Sequence, residues 1–195
     1  MSVVRLRTLP PETESDAPCM ARIAAGDLGA LGVLYDRYHA DVRGLVQRCG
    51  LGAAEADDAV HETFLKVVDI AGRYDGRESA RAWLFAVAWR VTLRRRRWAA
   101  RWLRAAQRFA AERADDHAPA ADAAYESSRR AQATWRMLDA LPDKMRVAVV
   151  MVEIEGLSGA EAAEALGIPI ATVWTRLHHG RKRLAAMSKE IGDVR

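Results

Sequence analysis

Arg90, Arg94, Arg97, Arg101, Arg104 and Arg108 recur at steps of 4, 3, 4, 3 and 4. At about 100° of helical rotation per residue, that rhythm keeps all of them in one narrow stripe. No acidic residue lies between Trp89 and Arg108 to neutralise it. Guanidinium groups in this arrangement suit phosphate binding, because each presents a planar fork of donors that stays charged. A solvated helix face can have the same pattern, so the stripe needs a second signal. The acid-free run from Ala165 to Lys189 supplies one. There Val173, Leu177 and Leu184 mark a buried helix face. Thr172, Trp174, Thr175, Arg176, His178, His179, Arg181 and Lys182 fall on or near its outer faces. Side chains of these types on an exposed helix can reach base edges in a major groove while their cations hold phosphates.

Other chemistries are less well supported. Asp57, Asp58 and Glu62 could be paired carboxylates for acid–base work. They belong to the acidic start of a helix, however, with no nucleophile, Gly-rich loop or metal set nearby. His178 and His179 are adjacent and so poorly placed to converge on one metal ion. Cys19 and Cys49 have no zinc-ligand spacing and are expected to be reduced thiols. No catalytic residue, cofactor or metal is expected. The 195 residues are 50% hydrophobic and 29% charged, with a formal net charge of +4, a balance that suits a folded protein with sorted charges. No run approaches the ~18 apolar residues of a membrane span, and the start lacks the apolar core of a signal peptide. The expectation is a cytoplasmic protein without membrane insertion.

Helices must position these residues. Pro10, Pro11 and Pro18 among polar residues predict a flexible arm over residues 1–19. Leu28, Leu31, Tyr35, Tyr38, Val42, Leu45 and Cys49 then trace one face of a long helix that Asp27 can cap and Gly50 can stop. A second helix is predicted from Ala54 to Ala71 with Val60, Phe64 and Val67 inward, followed by a loop from Gly72 to Ala80. A third runs from Arg81 to Ala111, its apolar residues Leu84, Val87, Val91, Trp98, Trp102 and Phe109 about a quarter turn from the arginines. Trp83 is expected in the core, and Trp89 fits either the core or stacking on exposed bases. Glu112, Asp115, Asp116, Asp122 and Glu126, with Pro119, predict a flexible acidic linker over 112–128. Helices at 131–141 and 143–155 follow, separated by Pro142; the run Val147–Val152 has strand propensity but no partner strand, and is read as helix. Ser158 to Glu161 forms a capping box that starts a short helix at Gly159, Gly167 provides the turn, and Pro169 sets the entry of the next helix. The fold class is therefore all-α: two small helical domains on a linker, one of them a helix-turn-helix.

The C-terminal segment resembles region 4 of the sigma-70 family. The resemblance is carried by Leu141-Pro142, Arg146, Glu155-Gly156-Leu157-Ser158, Glu161-Ala162-Ala163, Leu166-Gly167-Ile168, Thr172-Val173 and Arg176-Leu177. The N-terminal half resembles region 2 of the extracytoplasmic-function group through Gly26-Asp27, Leu34-Tyr35, Tyr38, the run Ala56 to Phe64 and the run Trp83 to Ala88. The resemblance implies a non-catalytic specificity subunit that binds core RNA polymerase at its β′ clamp and β flap and directs promoter-specific initiation. Region 2 would occupy 20–111, using Asp57, Asp58, His61, Glu62 and Leu65 for the polymerase. Arg73, Tyr74, Arg77, Arg90, Arg94, Arg97 and Arg101 would serve minus-ten recognition and melting. Region 4 would occupy 129–188 and read the minus-thirty-five duplex through the eight residues from Thr172 to Lys182 named above, with 189–195 a tail. An anti-sigma partner is implied too, as is a monomer when the chain is free of partners.

His61 stands where the family usually has Gln, Ala59 where it usually has Leu, and Arg90 where it usually has Asn. A long cation cannot reproduce an amide's paired donor and acceptor, so the family's mode of minus-ten readout is not carried onto Arg90. Trp174 occupies a recognition-helix slot that is often polar. Two rivals remain at this point. A LuxR-type regulator has a similar helix-turn-helix but needs an upstream receiver or ligand domain, and none fits. A sigma mimic that sequesters a regulator would act without polymerase.

Overall fold

The computed structural model describes residues 15–76, 79–112 and 135–192. Arg77, the linker beyond Glu112 and the first fourteen residues lie outside the described residues. All described regular structure is helical. Helix α1 spans Asp16–Ala24, α2 Leu28–Arg48, α3 Ala53–Ile70 and α4 Ala80–Glu112, with a 3-10 turn at Ala71–Arg73. Then come a short α5 at 135–139, α6 at Asp143–Val149, α7 at Gly159–Leu166 and α8 at Ile170–Gly192.

Helix α1 begins inside the stretch expected to be a flexible arm. Pro18 falls in its first turn, where a missing N–H breaks no intrahelical bond. Cys19, Met20 and Ile23 supply the reason for folding, since all three are buried against the bundle. Asp27 caps α2 as expected, accepting from the Gly29 and Ala30 amides at 2.8 and 3.2 Å. Gly50 takes φ +97° beyond its end, a left-handed turn that suits glycine. Helices α2, α3 and α4 pack on one another with α1 alongside. Leu34, Val42, Leu45, Phe64, Val67, Leu84 and Phe85 fill the space between them. Trp83 is partly buried against Tyr74, and Trp89 is buried, so both serve the core.

In the C-terminal half, α6 and α7 pack on α8. The run Val147–Val152 is helical, but Val150–Ile154 winds as a π-turn rather than continuing the α-helix. The capping box is fully formed: the Glu161 amide donates to Ser158 Oγ at 3.2 Å and the Ser158 amide donates to Glu161 Oε2 at 2.8 Å. Gly167 ends α7 at φ +63°. Helix α8 continues to Gly192, through part of the stretch expected to be a tail.

The two halves touch. Glu155, whose side chain is 4% exposed, forms ion pairs with Arg48 and Arg81 of the N-terminal bundle. Arg81 also donates to the Glu155 carbonyl at 2.7 Å and lies over the Phe85 ring. Arg96 pairs with Asp143 at 3.0 Å, and Arg146 donates to the Cys49 carbonyl at 3.2 Å. Burial of Arg146 is compensated by further bonds to the Leu138, Asp139 and Leu141 carbonyls, which tie down the turn before α6.

Candidate nucleic-acid interface

Helix α8 presents its outer face by burying the opposite one. Val173 and Leu177 are fully covered, Leu184 partly. Gly180 lets α8 approach α6 closely: a Cβ there would lie 2.7 Å from Val149 Cγ2. Trp174, Thr175, His178, His179, Arg181 and Lys182 are then exposed, with Thr172 and Arg176 half-buried at the edge. These eight residues wrap around the helix outside its buried stripe, with Thr172 and Arg176 at one margin and Trp174 and Arg181 at the other. They are not equally available. Thr175 Oγ1 donates to the Ala171 carbonyl at 2.9 Å, and Arg181 is engaged by Glu153. Trp174 leans on the first turn of α7, where a Cβ on Gly159 would come within 2.5 Å of its ring. Half of its surface stays open. His178 and His179 meet edge to face, and no cluster suited to a metal exists among the described residues.

The stripe on α4 is exposed at Arg90, Arg94, Arg97, Arg101 and Arg104, as its rhythm requires. The side chain of Arg108 lies outside the described residues. Arg94 pairs with Glu62, and Arg104 Nε donates to the Ala100 carbonyl, so two of the five are partly tied. Arg73 is exposed and Tyr74 half-buried beside the start of α4. The apolar companions divide. Leu84, Val87 and Val91 are buried, whereas Trp98 and Trp102 are 60% and 66% exposed, because α4 there outruns the helices it packs on.

Asp57, Asp58, His61, Glu62 and Leu65 occupy one outer side of α3. Asp57 accepts from Arg43 at 2.6 Å, which holds its carboxyl below the usual range. Glu62 is flanked by Arg94 and Arg95, the latter at 2.9 Å. His61 stacks near Tyr35. Leu65 is 68% exposed and shares a shallow groove with Leu28 and Leu31 of α2. Leu28 was visible to sequence reasoning only as a core-face residue, because an exposed apolar residue and a buried one can share the same helical rhythm. Cys49 is fully buried, and that burial pushes its thiol up to about 12. No helix among the described residues is long and apolar enough to cross a membrane.

Comparison with known proteins agrees with this organisation. Residues 34–102 match the family model for sigma-70 region 2, and residues 131–184 match that for sigma-70 region 4. The ECF RNA polymerase sigma factor SigM of Mycobacterium tuberculosis is 33% identical over 175 residues, covering 89% of this chain and 84% of the relative. The ECF RNA polymerase sigma factor SigE of Mycolicibacterium smegmatis is 32% identical over 177 residues, covering 87% and 68% respectively. Among solved structures, CnrH in complex with the cytosolic domain of CnrY superposes with a TM-score of 0.67 at 23% identity, over 91% of this chain and 99% of that one. The sigma factor RpoE of Bartonella quintana, in complex with the anti-sigma factor NepR, has a TM-score of 0.59 at 21% identity, over 80% and 94%. Both confirm the helical fold, and the sequence relatives settle the lineage: the chain belongs to the ECF group of the sigma-70 family of RNA polymerase sigma factors.

Proposed function

We propose that the chain is a non-catalytic specificity subunit that joins core RNA polymerase and directs it to particular promoters. The observation that carries this reading is the pairing, in one molecule and in the family's order, of an exposed face without acids on the second helix of a helix-turn-helix with an exposed arginine stripe on a separate bundle. In this reading α8 enters the major groove of the minus-thirty-five duplex, with Arg176 reaching a base edge and Lys182 on phosphate. Arg73, Tyr74 and the stripe from Arg90 to Arg101 hold the minus-ten strand as it separates. The α3 face docks on the β′ clamp, its acids meeting basic polymerase side chains and Leu65, with Leu28, covering an apolar patch. Two sites tethered in one chain gain affinity through effective concentration only when promoter spacing matches the polymerase-held geometry.

An anti-sigma protein is proposed as a further partner, supported by the NepR-bound relative of the same fold. The test is assembly with core polymerase followed by gel filtration and promoter-fragment retention. The wild-type chain is expected to co-elute with the core enzyme and confer retention. Leu65→Asp is expected to do neither while keeping its helical content. Co-elution undiminished in Leu65→Asp would displace the docking face from α3.

A further inference from the structure

Opposite the buried face of α8, at about 100° of rotation per residue, lie Thr175, His178, His179 and Lys182, all of them exposed. The Thr175 hydroxyl is engaged by its own helix, through the Ala171 carbonyl. The other three are not: among the described residues no hydrogen bond or ion pair holds His178, His179 or Lys182. Adjacent side chains on a helix normally diverge. The two imidazoles nevertheless meet edge to face, with centroids 5.5 Å apart, and so make a single projection. The carboxylates on the elements around α8 are directed elsewhere. Asp143 of α6 pairs with Arg96, Glu153 of the π-turn with Arg181, and Glu161 of α7 accepts from the Ser158 amide. Glu164 of α7 is exposed and makes no ion pair with either ring. Lys144 and the buried Arg146 of α6, with Arg176, Arg181 and Arg183 on α8 itself, make up the remaining charges around the helix, all of them cationic.

We infer that His178 and His179 contact DNA in their protonated form, which makes the affinity of α8 for a duplex rise as pH falls. An ammonium carries a permanent charge at neutral pH, whereas an imidazole acquires one between about pH 8 and pH 5. The outward line of α8 therefore combines one fixed cation, Lys182, with two conditional ones. A phosphate oxygen or a purine N7 set against these rings is held by a charge-assisted hydrogen bond when they are protonated and by a weaker neutral one when they are not. A surface that binds more tightly when protonated takes up protons as it binds, so affinity and pH are linked in that direction. The inference deepens the proposed reading of the minus-thirty-five duplex by α8 and rests on it for its biological setting, although duplex binding itself requires no polymerase.

The test uses the full chain and fluorescence anisotropy with a labelled mixed-sequence DNA duplex, titrated over a range of salt concentrations at about pH 8 and about pH 5.5. The wild-type chain is expected to bind about tenfold or more tighter at the lower pH, with a salt slope steeper by about one to two because two more cations meet the duplex. His178→Gln/His179→Gln is expected to match wild type at the higher pH and to lose most of the gain at the lower one. His178→Lys/His179→Lys should bind tightly at both, since its added charges do not depend on pH in this range. An equal pH response in the wild-type chain and the glutamine variant would overturn the inference and leave two solvated rings. Absence of duplex binding by the wild-type chain at either pH would overturn it as well, and so would a lysine variant no tighter than the glutamine variant at the higher pH. Promoter-specific transcription by the wild-type chain with core polymerase is scored separately, so a flat pH profile removes the conditional contact and leaves the sigma assignment standing, and the converse is equally visible.

Discussion

Arg94, Arg95, Arg96 and Arg97 are consecutive, yet their guanidinium groups end in different places. Arg94 and Arg95 close on Glu62, Arg96 reaches Asp143 and the Cys49 and Gly50 carbonyls, and Arg97 points to solvent. Helical rotation alone separates the tasks. Arg90, Arg97 and Arg101 were legible as one stripe because spacing fixes a shared face. The partners of Arg96 and Arg146 were not, since they come from segments brought together only by folding. On α8, Arg176→Ala is expected to weaken minus-thirty-five binding by ~1–3 kcal/mol on the preferred sequence, measured by competition against base-substituted duplexes. An equal loss on all sequences would make Arg176 a phosphate contact. At the capping box, the Ser158 amide holds the Glu161 carboxyl below its ordinary value of 4.5. A lowered folded-state pKa means stability that is present above the unfolded value and lost as pH falls through the folded one. Glu161→Gln keeps the amide bond without titrating, so its thermal melts are expected to decline less than wild type between about pH 5 and pH 3.

Helices α2 and α3 were readable nearly to the residue, because their apolar rhythm, the Asp27 cap and the acidic first turn all agree. Helix α1 was hidden by its prolines, whose local meaning changes once the first turn of a helix can hold Pro18 and the bundle can bury Met20 and Ile23. The π-turn at Val150–Ile154 left no sequence signal, since a valine-rich run looks alike in either winding. Two glycines test how these helices pack. Gly32 lies exposed on α2 with nothing near its missing Cβ, so Gly32→Ala is expected to stabilise the chain by about 0.5–1 kcal/mol. Gly180 faces Val149 at the α6–α8 crossing, where overpacking of ~1–3 kcal/mol outweighs the helix-propensity gain of about 1 kcal/mol. Gly180→Ala should therefore melt earlier than wild type in chemical denaturation. Opposite signs for one substitution on two helices would verify the crossing geometry.

Across the whole molecule, the sequence places two helical domains on a linker, and folding adds an ionic seam between them centred on Glu155. The exposed faces of α8 and α3 proposed for DNA and polymerase both stay accessible with the seam closed. Glu155→Ala leaves Arg48 and Arg81 facing each other without their shared carboxylate, which is expected to loosen the seam. Small-angle scattering should then report a larger radius of gyration at unchanged helical content; an unchanged radius would mean that the other contacts, among them Arg96 with Asp143 and Arg146 with the Cys49 carbonyl, suffice to hold the halves together. The assignment itself is tested most directly by adding the purified chain to core RNA polymerase on a fragmented genomic template and mapping the 5′ ends of the transcripts. New starts are expected at a limited set of sites that share sequence elements upstream. A folded, uninhibited chain that produces no new specific starts would contradict it.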